Sequence, residues 1–155
     1  MDDSIVDKKK EREEELKKEG IFFLSFILRC RIIHPMNKIK VFSFGLRSRN
    51  FGKDVRDFVN KLPYSVSNNE YSKQLVRSSG SIGANYIEAG EGLSKKDGIK
   101  YMKISKKEAK ESTHWLELID TGRNIILNKE RDYLLNEAKE LFYILCSMVD
   151  KLTRD

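Results

Sequence analysis

Apolar residues return every three or four positions from Phe51 to Leu152, and this period predicts a succession of amphipathic helices. Phe51, Val55, Phe58, Val59 and Leu62 form the first stripe, which stops at Pro63 because proline lacks a backbone donor and crowds the preceding turn. Residues 63–69 (PYSVSNN) read as a polar loop. A second helix is expected from about Glu70 to Ala89. Tyr71, Leu75, Ser78, Ile82, Tyr86 and Ala89 make one row, and Val76, Gly80, Gly83, Ile87 and Gly90 the next. Gly80 and Gly83 each cost such a helix about 1 kcal/mol relative to alanine, a cost that close approach of a neighbouring helix would offset. Gly90 and Gly92 then break the chain.

Ser94 is placed to cap a third helix, with Asp97 in the capping-box position. Met102, Ser105, Ala109, Ser112, Leu116 and Ile119 form its inward row, and Gly122 closes it. A short apolar turn (IIL) leads to Asn128, a suitable cap for a fourth helix. There Leu134, Ala138, Leu141, Leu145, Met148 and Leu152 alternate at four and three, and Leu135, Phe142 and Val149 widen the stripe. No strand-like alternation competes. The pattern predicts an all-α protein, an antiparallel up-and-down four-helix bundle over residues 46–155.

Residues 1–45 are expected to lie outside it. The run DKKKEREEELKKE (7–19) has helical propensity but almost nothing to bury, and the apolar IFFLSFIL after it falls far short of the roughly 20 residues a membrane helix needs. Acidic residues crowd the segment ahead of that run and no small-residue cleavage site follows, unlike a secretory signal. A cytoplasmic protein without a membrane segment is therefore expected. Met36 opens MNKIKVFSFGLRSRNF, which reads as an alternative start.

Composition agrees with long solvated helices: 39% of the 155 residues are hydrophobic, 35% are charged and only two are proline. The net charge of +6 arises entirely after residue 35, since residues 1–35 hold eight basic and eight acidic side chains. Cys30 and Cys146 are far apart and match no metal-ligand spacing; two reduced thiols are expected, Cys146 as a small core residue.

Catalytic and metal chemistry find little support. Glu111 and His114 form an E-x-x-H on a helix, but a dimetal carboxylate bundle needs two such motifs and two further glutamates. The other histidine, His34, lies outside the expected bundle. Cys146 has no histidine near it in the pattern, and EAGEGLS lacks the Lys-Ser/Thr ending of a phosphate loop. Neither a catalytic residue, nor a metal ligand, nor a cofactor is expected, and a non-enzymatic role follows.

Two polar sets carry more information. Gln74, Arg77, Ser81, Asn85 and Glu88 share a row of the second helix, and Glu108 and Glu111 lie beside Trp115 on the third. Folding the two helices back about Gly92 sets Arg77 level with residue 107, within reach of Glu108 or Glu111. The set reads either as a binding site or as a shielded ion-pair network that fixes register. In the shielded case, removing one partner should cost about 3–5 kcal/mol. The second set is basic: Lys96, Lys100, Lys103, Lys107 and Lys110 follow one line of the third helix, and Arg47, Arg49, Lys53 and Arg56 cluster on the first. Such a stripe is either a solvated face or a footprint for RNA or DNA phosphates. No aromatic residue interleaves it in a recognisable RNA-binding motif, so recognition of backbone or shape is expected.

The segment from Gln74 to Ile119 also resembles a known family, the four-helix proteins encoded in intervening sequences of bacterial 23S ribosomal RNA genes. Gln74, Arg77, Ser81, Ile82, Asn85 and Glu88 match that family's second helix, KEAKES followed by Trp115 and Leu116 matches its third, and RSRNFGKDVRDFVNKLP fits its first. The resemblance covers about residues 46–153. It implies an antiparallel bundle assembling as a ring-like homopentamer, without enzymatic activity. It also implies similarity to the accessory protein of diversity-generating retroelements, which works with a reverse transcriptase and binds nucleic acid. His114 departs from the family pattern, where an aromatic residue is the more familiar occupant. A protein-interaction scaffold or accessory subunit without a direct nucleic-acid role is the alternative expectation.

Overall fold

The computed structural model describes residues 38–154, with side chains from Phe44 onward. The expectations for the mixed-charge run, the apolar run after it, Cys30, His34 and a start at Met36 all concern residues outside that range. The chain divides into two units, Met1–Leu46 and Arg47–Asp155. Of the first, the described residues form the opening of a helix. The second is the helical array.

Four helices follow one another: α1 Lys38–Val59, α2 Val66–Glu91, α3 Lys95–Leu118 and α4 Ile125–Arg154. Their starts are set by side chains that satisfy the free amides of the first turn. Ser65 caps α2, its Oγ accepting from the Asn68 amide at 3.1 Å, so the helix begins four residues before Glu70 and much of the expected 63–69 loop is helical. Ser94 caps α3 as expected; its Oγ accepts from the Asp97 amide at 3.2 Å and donates to Asp97 Oδ2 at 2.6 Å. The cap of α4 is Asn124, whose Oδ1 accepts from the amides of Ile126 and Leu127 at 2.9 and 3.2 Å. Asn128, the expected cap, is instead inside the helix and accepts from the Thr121 hydroxyl at 2.6 Å. The apolar turn 125–127 is thus the first turn of α4. At the other extreme, α1 starts upstream of Phe51 and ends at Val59, with Leu62 in the turn that follows.

Paired contacts fix the direction of each helix against its neighbours. Along the α2–α3 seam Ser78 meets Ser112 and Ile82 meets Ser105, so α3 descends as α2 rises. Ser48 lies against Gly83 and Gly52 near Ser79, which sets α1 antiparallel to α2. Arg47 reaches Glu137 and Lys61 reaches Glu130, so α4 runs against α1. A weaker 4.0 Å approach of Lys139 to Glu117 ties α3 to α4. Each helix therefore has two neighbours, and α1 and α3 are diagonal.

The expected core rows are buried almost as drawn. Phe51, Val55 and Phe58 of α1, Leu75 and Ile82 of α2, Met102, Ala109 and Leu116 of α3, and Leu134, Ala138, Leu141, Leu145 and Met148 of α4 are nearly inaccessible. Burial of one leucine or phenylalanine of this set stabilises the fold by about 1.5–3 kcal/mol. The row beside them on α2 does not follow: Val76 and Ile87 are exposed. Cys146 is half-buried rather than in the core.

The α2–α3 seam is polar in a controlled way. Ser78, Ser105 and Ser112 have no exposure, and each hydroxyl is satisfied: Ser78 and Ser112 lie 2.9 Å apart, and Ser105 donates to the Ile82 carbonyl at 2.8 Å. Small side chains let the helices approach, and their hydroxyls find partners inside the seam, as buried polar groups must. Only one of the two interior glycines serves close approach. A Cβ on Gly83 would stand 3.1 Å from Ser48 Oγ, whereas one on Gly80 would meet nothing within 4 Å.

One end of the bundle is closed by a single side chain. Asn68 is only 3% exposed. Its Nδ2 donates to the carbonyls of Pro63 (3.0 Å) and Asp120 (2.8 Å), and its Oδ1 accepts from the Asp120 amide at 3.0 Å. The α1–α2 and α3–α4 turns are thereby joined. The second turn reverses through Gly122 and Arg123, both at φ 64°, a conformation natural to glycine and strained for arginine.

Candidate nucleic-acid interface

Helix α3 carries seven lysines against four carboxylates. Because its inward row is taken by Met102, Ser105, Ala109, Ser112 and Leu116, the residues two positions round the helix must face water. Lys96, Lys100, Lys103, Lys107 and Lys110 are all exposed. At 1.5 Å per residue the line is about 21 Å long. None of the five forms an ion pair with a described residue, and Lys100 lies 5.7 Å from the centroid of the Tyr101 ring. A row of ammonium groups of this length, none held in an ion pair with a described residue, suits a polyanion.

The α1 cluster is different. Arg47 is turned onto α4: Nε and Nη2 grip Glu137 at 2.8 and 2.7 Å, and Nη2 also donates to Glu140 at 2.6 Å. The Glu137 bonds, followed by those of Glu140, hold its guanidinium charged far beyond the usual arginine range despite partial burial. Arg47 is a clamp between helices, with three of its five N–H donors engaged there. Arg56 pairs with its neighbour Asp57 at 2.8 Å, which holds the Asp57 carboxyl below the usual carboxylate range. Arg49 and Lys53 are exposed. Since α1 and α3 are diagonal, the two basic sets do not merge into one surface.

The polar row of α2 is only partly a network. Arg77 does cross the hairpin, but to Glu111 (3.0 Å) rather than Glu108. The hairpin folds about residue 94, two positions beyond Gly92, which sets 77 level with 111. The pair is also not shielded: Arg77 is 65% exposed and Glu111 29%, so it contributes at most about 1 kcal/mol rather than the cost of a buried pair. Asn85 donates to the Ser81 carbonyl at 2.8 Å within its own helix. Gln74 is half-buried, and Glu88 is exposed. Glu108 forms no ion pair with a described residue; burial, then the neighbouring Glu111 charge, pushes its carboxyl above the usual range, while Arg77 and Lys107 pull the other way.

Beside this pair lies an aromatic group that sequence reading missed. Trp115 donates its indole N–H to the same Glu111 Oε1 at 3.2 Å. Tyr71 of α2 stacks on Trp115 with centroids 6.0 Å apart and planes 26° from parallel. His114 meets Trp115 edge-on at 4.9 Å. Tyr71 and Trp115 are 44 positions apart, so no local pattern joins them; only the packing of α2 on α3 does. Arg77 and Trp115 share one oxygen of the Glu111 carboxylate. Among the described residues no three His, Cys, Asp or Glu side chains converge as a metal-binding group.

Depressions mark the described surface. One of about 210 Å³ is lined by Glu88, Glu91, Asp97, Lys100 and Tyr101, and one of about 240 Å³ by Asp54, Asp57, Lys61, Glu130 and Tyr133. Both are smaller than the roughly 300–1,000 Å³ of small-molecule sites. No described helix is long and apolar enough to cross a membrane.

The family model described as 23S rRNA-intervening sequence protein matches residues 44–147. A solved structure from Bacteroides thetaiotaomicron, described as a protein with unknown function from the S23 ribosomal protein family, is 31% identical. The alignment covers 68% of this chain and 97% of that one, with a TM-score of 0.59. No curated protein matches the chain significantly.

Proposed function

The chain belongs to the 23S rRNA-intervening sequence protein family, and we propose that it acts without catalysis, as a bundle that binds nucleic acid along α3. The observation that carries this reading is the line of five exposed lysines, about 21 Å long, without a described carboxylate partner. Each engaged phosphate releases condensed counterions, so affinity falls with salt at a slope set by the number of contacts. Five lysines engaging a duplex correspond to a slope of about −4 to −5 in log K against log salt. The test is a binding titration of the full chain with structured RNA across salt concentrations. Replacing Lys100, Lys103 and Lys107 by glutamine should lower the slope by about three units while leaving the melting temperature nearly unchanged. No binding at low salt refutes the reading.

A protein–protein role is the second reading, favoured by one set of exposed apolar groups. Tyr64, Val66, Ile125 and Ile126, each at least 69% exposed, come from the two turns at the same end of the bundle. Such a patch suits a protein partner or a further copy of the chain. A homo-oligomer, a homopentamer in particular, would be recognised by its mass in light scattering. Replacing Ile125 and Ile126 by lysine should then dissociate it.

A further inference from the structure

We infer that Trp115, Tyr71 and His114 form a stacking site for an unpaired base, so that a single-stranded nucleotide segment is the preferred form of the ligand. This rests on the nucleic-acid reading above and specifies it. Three features converge. First, His114 is the next position of the lysine line, four residues after Lys110, so the aromatic group lies where a strand following that line would arrive. Second, the aromatic surface is open in part: His114 is exposed, and Tyr71 and Trp115 are half-buried. Third, the indole is held in place before any ligand arrives, by the Tyr71 stack and by its N–H bond to Glu111. Arg77 engages the same carboxylate, which offsets its repulsion toward a phosphate, and the mostly exposed Arg77 guanidinium retains further donors.

Aromatic shelves beside a basic track are how proteins hold single strands without reading sequence, because every base has a π face. Duplex bases are already stacked on one another and offer that face only at ends. The phosphate line alone does not discriminate the two forms in this way. The aromatic group does.

Trp115 is the sole tryptophan of the chain, so its emission reports on this site alone. The experiment titrates the full chain with a dye-labelled 12-mer single strand, as RNA and as DNA, with a 12-mer duplex, and with inorganic polyphosphate. Anisotropy or competition reads binding, and tryptophan emission reads stacking. Single strands of either sugar should bind and quench. Polyphosphate should compete for the lysine line yet leave the emission unchanged. His114→Ala, at an exposed position, should weaken single-strand binding about fivefold and Tyr71→Leu about tenfold, from the usual range of stacking contributions. Polyphosphate affinity should not change in either. Single strands that bind without quenching, or that bind both variants as tightly as the parent, overturn the stacking site while leaving phosphate binding standing. Absence of binding by every polyanion overturns both.

Discussion

Asn68→Ala is the substitution that most directly tests how the bundle end is closed. The side chain makes three hydrogen bonds at 2.8–3.0 Å while only 3% exposed. At about 1 kcal/mol net for each, the direct loss is about 3 kcal/mol. Two opposing effects modify it. Alanine favours the helix interior over asparagine by up to about 0.7 kcal/mol, and any stranded amide or carbonyl that water cannot reach adds about 1–3 kcal/mol. A loss of about 2–4 kcal/mol is expected. The cap itself is untouched, because Ser65 accepts from the backbone amide of residue 68 rather than from its side chain. Urea unfolding followed by circular dichroism at fixed protein concentration is the assay. With a slope of about 1.5 kcal/mol per molar urea, the midpoint should fall by roughly 1.3–2.7 M. Asn69→Ala, one position along at an exposed site, should stay within about 0.5 kcal/mol of the parent. Asn68→Asp is isosteric but sets a carboxylate against two carbonyl oxygens and should be at least as damaging as alanine. An Asn68→Ala midpoint within about 0.3 M of the parent, below 0.5 kcal/mol on the same slope, would show that the two turns hold without this side chain.

The two glycines of α2 should respond oppositely. Gly80→Ala should stabilise by about 0.5–1 kcal/mol, since its Cβ meets nothing, whereas Gly83→Ala must displace the buried Ser48 hydroxyl 3.1 Å away and should be neutral or destabilising; thermal melts of both decide it. Arg47→Lys should cost about 1 kcal/mol, because an ammonium group cannot reproduce the two-pronged grip on Glu137; a denaturation midpoint equal to the parent would deny the clamp. The Glu108 carboxyl is raised in the fold by burial and by Glu111, so its protonated form is the one the fold favours. Its contribution is fully present below the unfolded pKa and is lost as pH rises through the folded one. Glu108→Gln should therefore gain stability over the parent at pH 7 and lose that advantage near pH 4, with a small amplitude because the group is only partly buried.

Periodicity alone determined which faces of α1 to α4 turn inward, because burial of apolar side chains is a property that a helix imposes on residues three and four apart. The cap of α3 was equally local: Ser94 and Asp97 sit three positions apart and find each other in any fold. Local reasoning failed where two caps competed. Asn124 and Asn128 are the same residue type one turn apart, and the choice went to Asn124 because Asn128 is engaged by Thr121.

Tertiary structure decided everything that depends on register between helices. A shift of two residues in the hairpin sets Arg77 on Glu111 rather than Glu108, and the same packing of α2 on α3 joins Tyr71 to Trp115. Helix packing also separates the basic residues. The α3 lysines, two positions round from the core row, were bound to face water, and sequence placed them correctly. Arg47 carries the same charge, yet packing turned it onto Glu137 and Glu140, 90 and 93 positions away. Asn68, read as part of a loop, became the joint between two turns for the same reason: its three partners come from two turns far apart in sequence. The sequence determines which residues a helix offers on each face; only the packing of one helix on another decides which of those offers is taken.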